Sequence, residues 1–202
     1  MEINAFYQKI KSLHRTDRTI LVGIDGLGGA GKSTIADELL HMLEDAGDPA
    51  VLLHMDDLIH PRCARYNAEY PEWECYYDLQ WRYDLLLSKI LHPVRSGQSV
   101  DTVLEFYQLA DDSYQLRTVQ IPVGSIVIVE GIFLQRKELA GMFDLTAYVD
   151  VPEEVRLQRV LKRDGYIGNS SEIQAKYERR YFPAERYYVQ ECDPASSADL
   201  IL

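Results

Sequence analysis

Apolar positions along the chain follow two periods. Ile3, Phe6, Tyr7, Ile10 and Leu13 recur three and four apart, which predicts an amphipathic helix ending at the polar stretch 15–18. "TILVGI" at 19–24 is a short continuous apolar run and predicts a buried strand that stops at a glycine-rich loop. The helical period returns from Lys32, with Ile35, Leu39, Leu40 and Leu43 on one face and Gly47 where a C-terminal cap belongs. "AVLLHM" at 50–55 predicts a second strand, followed at once by Asp56 and Asp57. Residues 59–77, with Pro61 and Pro71 and a high density of Tyr and Trp, are expected to form a loop. Asp78 stands where it could cap a helix running to about Leu91, ended by Pro93 and Gly97, and 99–123 are expected to be irregular. "SIVIVEG" at 125–131 and "LTAYVDV" at 145–151 predict two more strands. Pro152 with Glu153 and Glu154 opens a helix whose dipole favours acids in its first turn. A Tyr- and Arg-rich segment then leads to "ADLIL", a candidate last strand.

Strands alternating with helices, without internal repeats or low-complexity linkers, indicate an α/β architecture with a mainly parallel sheet, whose ligands belong at the carboxyl ends of the strands. With 202 residues and 47% hydrophobic content, the chain can bury roughly 70% of its unfolded surface as one domain, 1–202. The formal charge of −11 argues against nucleic-acid binding, which needs clustered Lys and Arg. No run approaches the ~18 apolar residues of a membrane span, so no membrane partner is expected. Cys63, Cys75 and Cys192 have neither metal-site nor disulfide-framework spacing and are expected to be reduced thiols of a cytoplasmic protein.

"GIDGLGGAGKST" at 23–34 contains two overlapping signatures. Gly26, Gly28 and Gly31 spell G-x-G-x-x-G, the dinucleotide fingerprint, and Asp56 and Asp57 lie roughly where its ribose-binding acid would fall. That reading leaves Lys32-Ser33 unexplained, whereas G-x-x-x-x-G-K-S from Gly26 to Ser33 uses every residue as a phosphate-binding P-loop. In that scheme Gly26, Leu27, Gly28, Gly29, Ala30, Gly31, Lys32, Ser33 and Thr34 form the nucleotide cradle. The amides of 28–32 wrap the β-phosphate, the Lys32 ammonium reaches the β- and γ-phosphates, and the Ser33 hydroxyl ligates Mg²⁺.

Four further features bear on chemistry. Phosphoryl transfer needs a group that orients or deprotonates the attacking hydroxyl, and Asp56, at a strand end beyond the P-loop helix, suits that role and a place near Mg²⁺. Asp57 is a candidate acceptor contact, with a turn cap as the plainer alternative. Glu130, at the end of the apolar run 126–129, is placed as a Walker-B-like acid toward Mg²⁺. Arg156, Arg159 and Arg163 share one helical face and suit a lid over transferring phosphates, 153–180, with surface pairing to Glu153 and Glu154 as the alternative. The aromatics between Tyr66 and Tyr83 are expected mostly to pack.

The order "GIDGLGGAGKST", "HMDDLIHP", "YDLQ", "EFYQLADD", "VIVEGIF", "RLQRVLKRD", "ADLIL" resembles the uridine kinase family in its broad sense, with its phosphoribulokinase-like, pantothenate-kinase-like and nicotinamide-riboside-kinase-like members. The resemblance implies the three-layer α/β/α sandwich of a P-loop kinase with a helical lid, substrate-side insertions over 58–123, and ATP and Mg²⁺ as cofactors. It also implies Lys32, Asp56, Arg159 and Arg163 as catalytic residues, Ser33, Asp56 and Glu130 around the metal, and a small-molecule hydroxyl acceptor. The family's Tyr-Asp and downstream His, which contact the nucleoside, align with Tyr107-Gln108 and Asp112, and its Phe-Tyr after the catalytic Asp is Leu58-Ile59. The kinase chemistry therefore carries over with its residues, and the acceptor stays open. Against it stand a nucleotide-binding NTPase or regulatory module that keeps the P-loop without kinase activity, and a GTPase-like switch, for which the chain has no N-K-x-D or T-K-x-D.

Overall fold

Five strands, β1 (Ile20–Gly26), β2 (Ala50–His54), β5 (Ile126–Gly131), β6 (Leu145–Val149) and β7 (Leu200–Ile201), form one parallel sheet in the order β2-β5-β1-β6-β7. This is a computed structural model and describes residues 2–202, with side chains from Ile3 onward. The sheet is buried on both faces, so its strands are continuously apolar rather than alternating. Ile20, Val22, Ile24, Ile126 and Ile128 pack under α1 (Glu2–Leu13) and α2 (Lys32–Asp45). Leu21, Val127 and Val129 face the opposite layer, which contains Leu86, Ile90, Phe133 and Tyr188. Because every strand is parallel, all carboxyl ends meet at one edge. Register there pairs His54 with Glu130, and Ile24 with Glu130 on the other side.

The expected strands and the first two helices are present, and Gly47 closes α2 with φ 76 and its N–H on Glu44 O. Four expectations are corrected. Residues 59–77 are not one loop: α3 (Arg62–Arg65) and α4 (Glu72–Glu74) form, and α4 continues into a π-helical turn, Cys75–Leu79. Asp78 therefore caps nothing. The next helix starts at α5 (Tyr83–Leu86), because His60 N–H binds Gln80 O, Arg82 N–H binds Leu58 O, and Ile59 bridges Trp81, which draws 80–82 out of helical geometry.

That helix also does not end at Pro93. It passes through a wide turn, Leu87–Leu91, into α6 (His92–Arg95) and ends at Ser96–Gly97. A π turn just before the proline relieves the clash of its ring with the carbonyl one turn back. Finally, 99–123 are not irregular: β3 (Val100–Gln108) and β4 (Ser113–Ile121) form an antiparallel hairpin. Its sequence mixes apolar and polar positions without a clean alternation, because Val100, Leu104, Phe106, Tyr107, Val119 and Ile121 are buried in the core while Val103 and Leu116 stay exposed.

The remaining elements are α7 (Glu153–Arg163), α8 (Ser170–Lys176), a π turn Tyr177–Tyr181, α9 (Phe182–Cys192) and α10 (Pro194–Ser197). Asn169 caps α8 through the amides of Ser171 and Glu172, and Glu172 returns the bond to Asn169 N–H. The buried aromatics Tyr76, Tyr77, Trp81 and Tyr188 surround Phe133 edge-on, so packing explains most of the aromatic density. Among the described residues no helix is long and apolar enough to cross a membrane.

Candidate active site

The loop after β1 turns on glycine. Gly31 caps α2 at φ 102, and Gly29 has φ 80 with space for a Cβ blocked by Val160 Cγ1 at 2.8 Å and Arg156 O at 3.0 Å. Only glycine fits such a position without strain or displacement. The first intrahelical bond of α2 is Ile35 N–H to Gly31 O, so the amides of Lys32, Ser33 and Thr34 have no carbonyl one turn back and lie at the positive end of the helix dipole. Lys32 Nζ reaches across to Leu27 O at 3.2 Å.

Two loop amides expected to wrap phosphate are engaged by the protein. Gly28 N–H donates to Glu185 Oε1 at 2.9 Å, and Ala30 N–H closes a tight turn on Leu27 O at 3.1 Å.

Parallel register brings the acids to this loop. Glu130, at the end of β5, accepts from Ser33 Oγ at 3.1 Å and lies 2.7 Å from His54 Nδ1. Burial alone would raise the Glu130 pKa. The His54 hydrogen bond, the Lys32 charge and the Ser33 bond outweigh it and hold the carboxyl below its ordinary value. The hydrogen bond to Glu130 in turn raises the pKa of His54.

Asp56 and Asp57 sit on a 3₁₀ turn, Met55–Asp57, directly after β2. The Asp56 carboxyl is reached by solvent from the cleft but is enclosed by protein elsewhere. Burial raises its pKa, Glu130 adds repulsion, and Lys32 and Arg163 pull the other way.

Gly28, Gly29, Gly31, Lys32, Ser33, Thr34, Asp56, Asp57 and Glu130 line one cleft of about 1050 Å³, while His54 meets Glu130 without lining it. One wall is the P-loop with Lys32, Ser33 and Thr34, the floor carries Asp56, Asp57 and Glu130, and Arg159 and Arg163 approach from α7. Arg159 Nη1 donates to Gly29 O at 3.2 Å and Ala30 O at 2.9 Å, while Arg163 is mostly exposed and pairs with Asp164.

Arg156 departs from its helical neighbours. It is buried beneath the P-loop, donating to Gly28 O at 3.0 Å and Glu185 Oε2 at 2.7 Å, and so it props the loop instead of facing phosphate. The alternative pairing with Glu153 and Glu154 does not describe these arginines either, since Glu153 meets Arg186.

The other wall comes from α3 and the hairpin. Tyr107 lines the cleft, with its hydroxyl donating to Asp112 Oδ1 at 2.7 Å and accepting from Arg65 Nη2 at 2.8 Å. Asp112, at the hairpin turn with φ 54, also accepts the Arg62 N–H. It stands behind Tyr107 and is not among the lining residues.

Sequence reasoning missed His54, Arg65, Glu185 and Asp25. Asp25 carried a signal, a lone acid inside an apolar strand. Its carboxylate accepts from Gly26 N–H, Leu134 N–H, Gln135 Nε2 and Tyr188 Oη, joining β1 to the chain after β5 and to α9. Glu185 carried none, since nothing local marks a glutamate of α9 as the partner of a glycine 157 residues away.

Among the described residues no cluster of three or more His, Cys, Asp or Glu could hold a metal by itself. Ser33 and Glu130 with Asp56 nearby fit Mg²⁺, which is usually held by one or two carboxylates together with phosphate oxygens and waters.

The phosphoribulokinase/uridine kinase family model matches residues 21–202. The chain belongs to this family. Family membership agrees with a P-loop at the carboxyl edge of a mainly parallel sheet flanked by helices. The uridine kinase of Staphylococcus haemolyticus (strain JCSC1435) is 32% identical over 148 residues, 72% of this chain and 69% of that protein. The uridine kinase of Staphylococcus aureus (strain Newman) is 31% identical over the same shares. A solved structure described as a possible uridine kinase from Bacillus stearothermophilus superposes with TM-score 0.80 and 30% identity, covering 100% of this chain and 97% of that one.

Proposed function

We propose that the chain is an ATP-dependent kinase that transfers the γ-phosphate to a hydroxyl of a small molecule. The observation that carries this reading is the meeting of the P-loop, the Ser33–Glu130 pair and Asp56 at one strand edge, in a single cleft that has a second wall for an acceptor. Bound Mg²⁺ would neutralise charge on the β- and γ-phosphates, held by Ser33, Glu130 and Asp56. Lys32 and the first-turn amides of α2 would hold the phosphates in line. Asp56 would take the proton from the acceptor hydroxyl as its oxygen bonds to the γ-phosphorus and the bond to the β,γ-bridging oxygen breaks, releasing ADP. Arg159 and Arg163 would face the equatorial oxygens as charge redistributes. Coupled measurement of ADP release across nucleosides, vitamins and sugars tests this. Turnover that needs both ATP and one acceptor supports it, and acceptor-independent ATP hydrolysis alone would count against it.

A further inference from the structure

Resting on that kinase reading, the acceptor wall of the cleft says something about what is phosphorylated. Arg65 is buried yet lines the cleft. Its guanidinium stacks on the Tyr107 ring at 4.7 Å and reaches no carboxylate within 4 Å among the described residues, and its Nε–H has no partner. Asp112 is held one step away, across the Tyr107 hydroxyl.

Behind it lies Arg180, fully buried and likewise without a carboxylate partner. It donates to Glu72 O and Gln80 Oε1 and stacks on Tyr66 at 4.2 Å, and its Nε also has no acceptor. Arg62 and Lys176 add two more cations to the lining. Burying a guanidinium without a counter-ion is costly, and tyrosine faces and carbonyls offset only part of that cost. In a protein of net charge −11, with many carboxylates to spare, leaving two buried arginines without one marks a place for an external anion.

We infer that the acceptor is an alcohol carrying an oxyanion, a carboxylate or a phosphate, which Arg65 with Arg62 holds while its hydroxyl faces Asp56. Arg180 then acts as a positioning residue, fixing Tyr66 and Gln80 at the same wall. A neutral nucleoside would leave the Arg65 charge unanswered, and a planar fork of donors suits carboxylate and phosphate alike.

The test uses inorganic phosphate titrated calorimetrically into the full chain saturated with Mg²⁺ and a non-hydrolysable ATP analogue, so that the P-loop is already filled. One saturable site is expected, weakened at least tenfold in Arg65→Met and less in Arg65→Lys. Should Arg65→Met fail to fold, Arg62→Ala, at an exposed position, is expected to weaken the same site about threefold. Phosphate that binds wild type and the variants equally, or that only competes with the nucleotide analogue, would overturn the inference.

In turnover, hydroxy acids are paired with their amides and sugar phosphates with their free sugars, which separates carboxylate from phosphate. The charged member of the preferred pair is expected to exceed its neutral partner at least tenfold in kcat/KM. Equal use of both, or a best acceptor that is an uncharged nucleoside, overturns the inference and leaves the kinase reading standing. Failure of the kinase reading shows separately, as absent transfer from ATP, and phosphate titration into Lys32→Ala still reports on Arg65 in that case.

Discussion

Lys32 is the cation anchored across the P-loop, and its present partner is only a backbone carbonyl, Leu27 O. Lys32→Ala therefore loses little folded-state bonding and is expected to cut phosphoryl transfer by about 10²–10³-fold or more, with an unchanged melting temperature. Wild-type turnover in a folded variant would contradict the role. Asp56→Asn keeps shape and removes the base, so kcat is expected to fall by about 10²–10⁴-fold with nucleotide affinity largely retained. A milder loss there than in Asp57→Asn would assign the role to the neighbour. Asp25 makes a stability prediction. All four of its partners donate, so Asn would turn an amide NH₂ against donors, and denaturant unfolding is expected to show a loss of about 1–3 kcal/mol.

Helix α7 puts two functions on one stripe. Arg156 and Arg163 are seven apart and share a face, yet Arg156 is 3% exposed in a buried pair with Glu185, and the Arg163 side chain is 62% exposed. Breaking the buried pair strands a charge, so Arg156→Ala is expected to cost about 3–5 kcal/mol. Arg163→Ala is expected to change stability by less than about 0.5 kcal/mol and to lower kcat roughly tenfold or more. Unfolding and turnover measured on both variants separate the roles, and equal stability losses would refute the division.

At the scale of the whole molecule, residues 164–171 run from the end of α7 into the first turn of α8 beside the cleft. Asp164 anchors it, buried and accepting from Tyr177 Oη at 2.7 Å, while Tyr166 and Ile167 line the cleft. With Gly165 and Gly168 flanking these residues, the segment is expected to gain hydrogen-exchange protection when nucleotide and acceptor bind together. Equal protection in the free and doubly liganded protein would make it a fixed wall. The same scale explains the cleft: parallel strands share one carboxyl edge, so a loop after β1, a turn after β2 and an acid ending β5 meet although they lie far apart in the chain.

Local chemistry determined much of this on its own. The glycines and Lys32-Ser33 define a phosphate loop because few other residues permit that backbone, and the continuous apolar runs define strands because a sheet covered on both faces needs no polar side. Tertiary structure decided what local pattern does not encode. The hairpin of β3 and β4 hides its strand period because apolar residues such as Val103 and Leu116 also stand on its uncovered face, and its inward residues acquire meaning from the core beneath. Pro93 reads as a helix end until a π turn makes room for it. Glu185 reaches Gly28 and Arg156 only after α9 folds back under the P-loop, and Arg65 meets Tyr107 only when α3 packs on the hairpin. Periodicity reports which side of an element is dry, and contacts between distant elements depend on a packing that no single stretch contains.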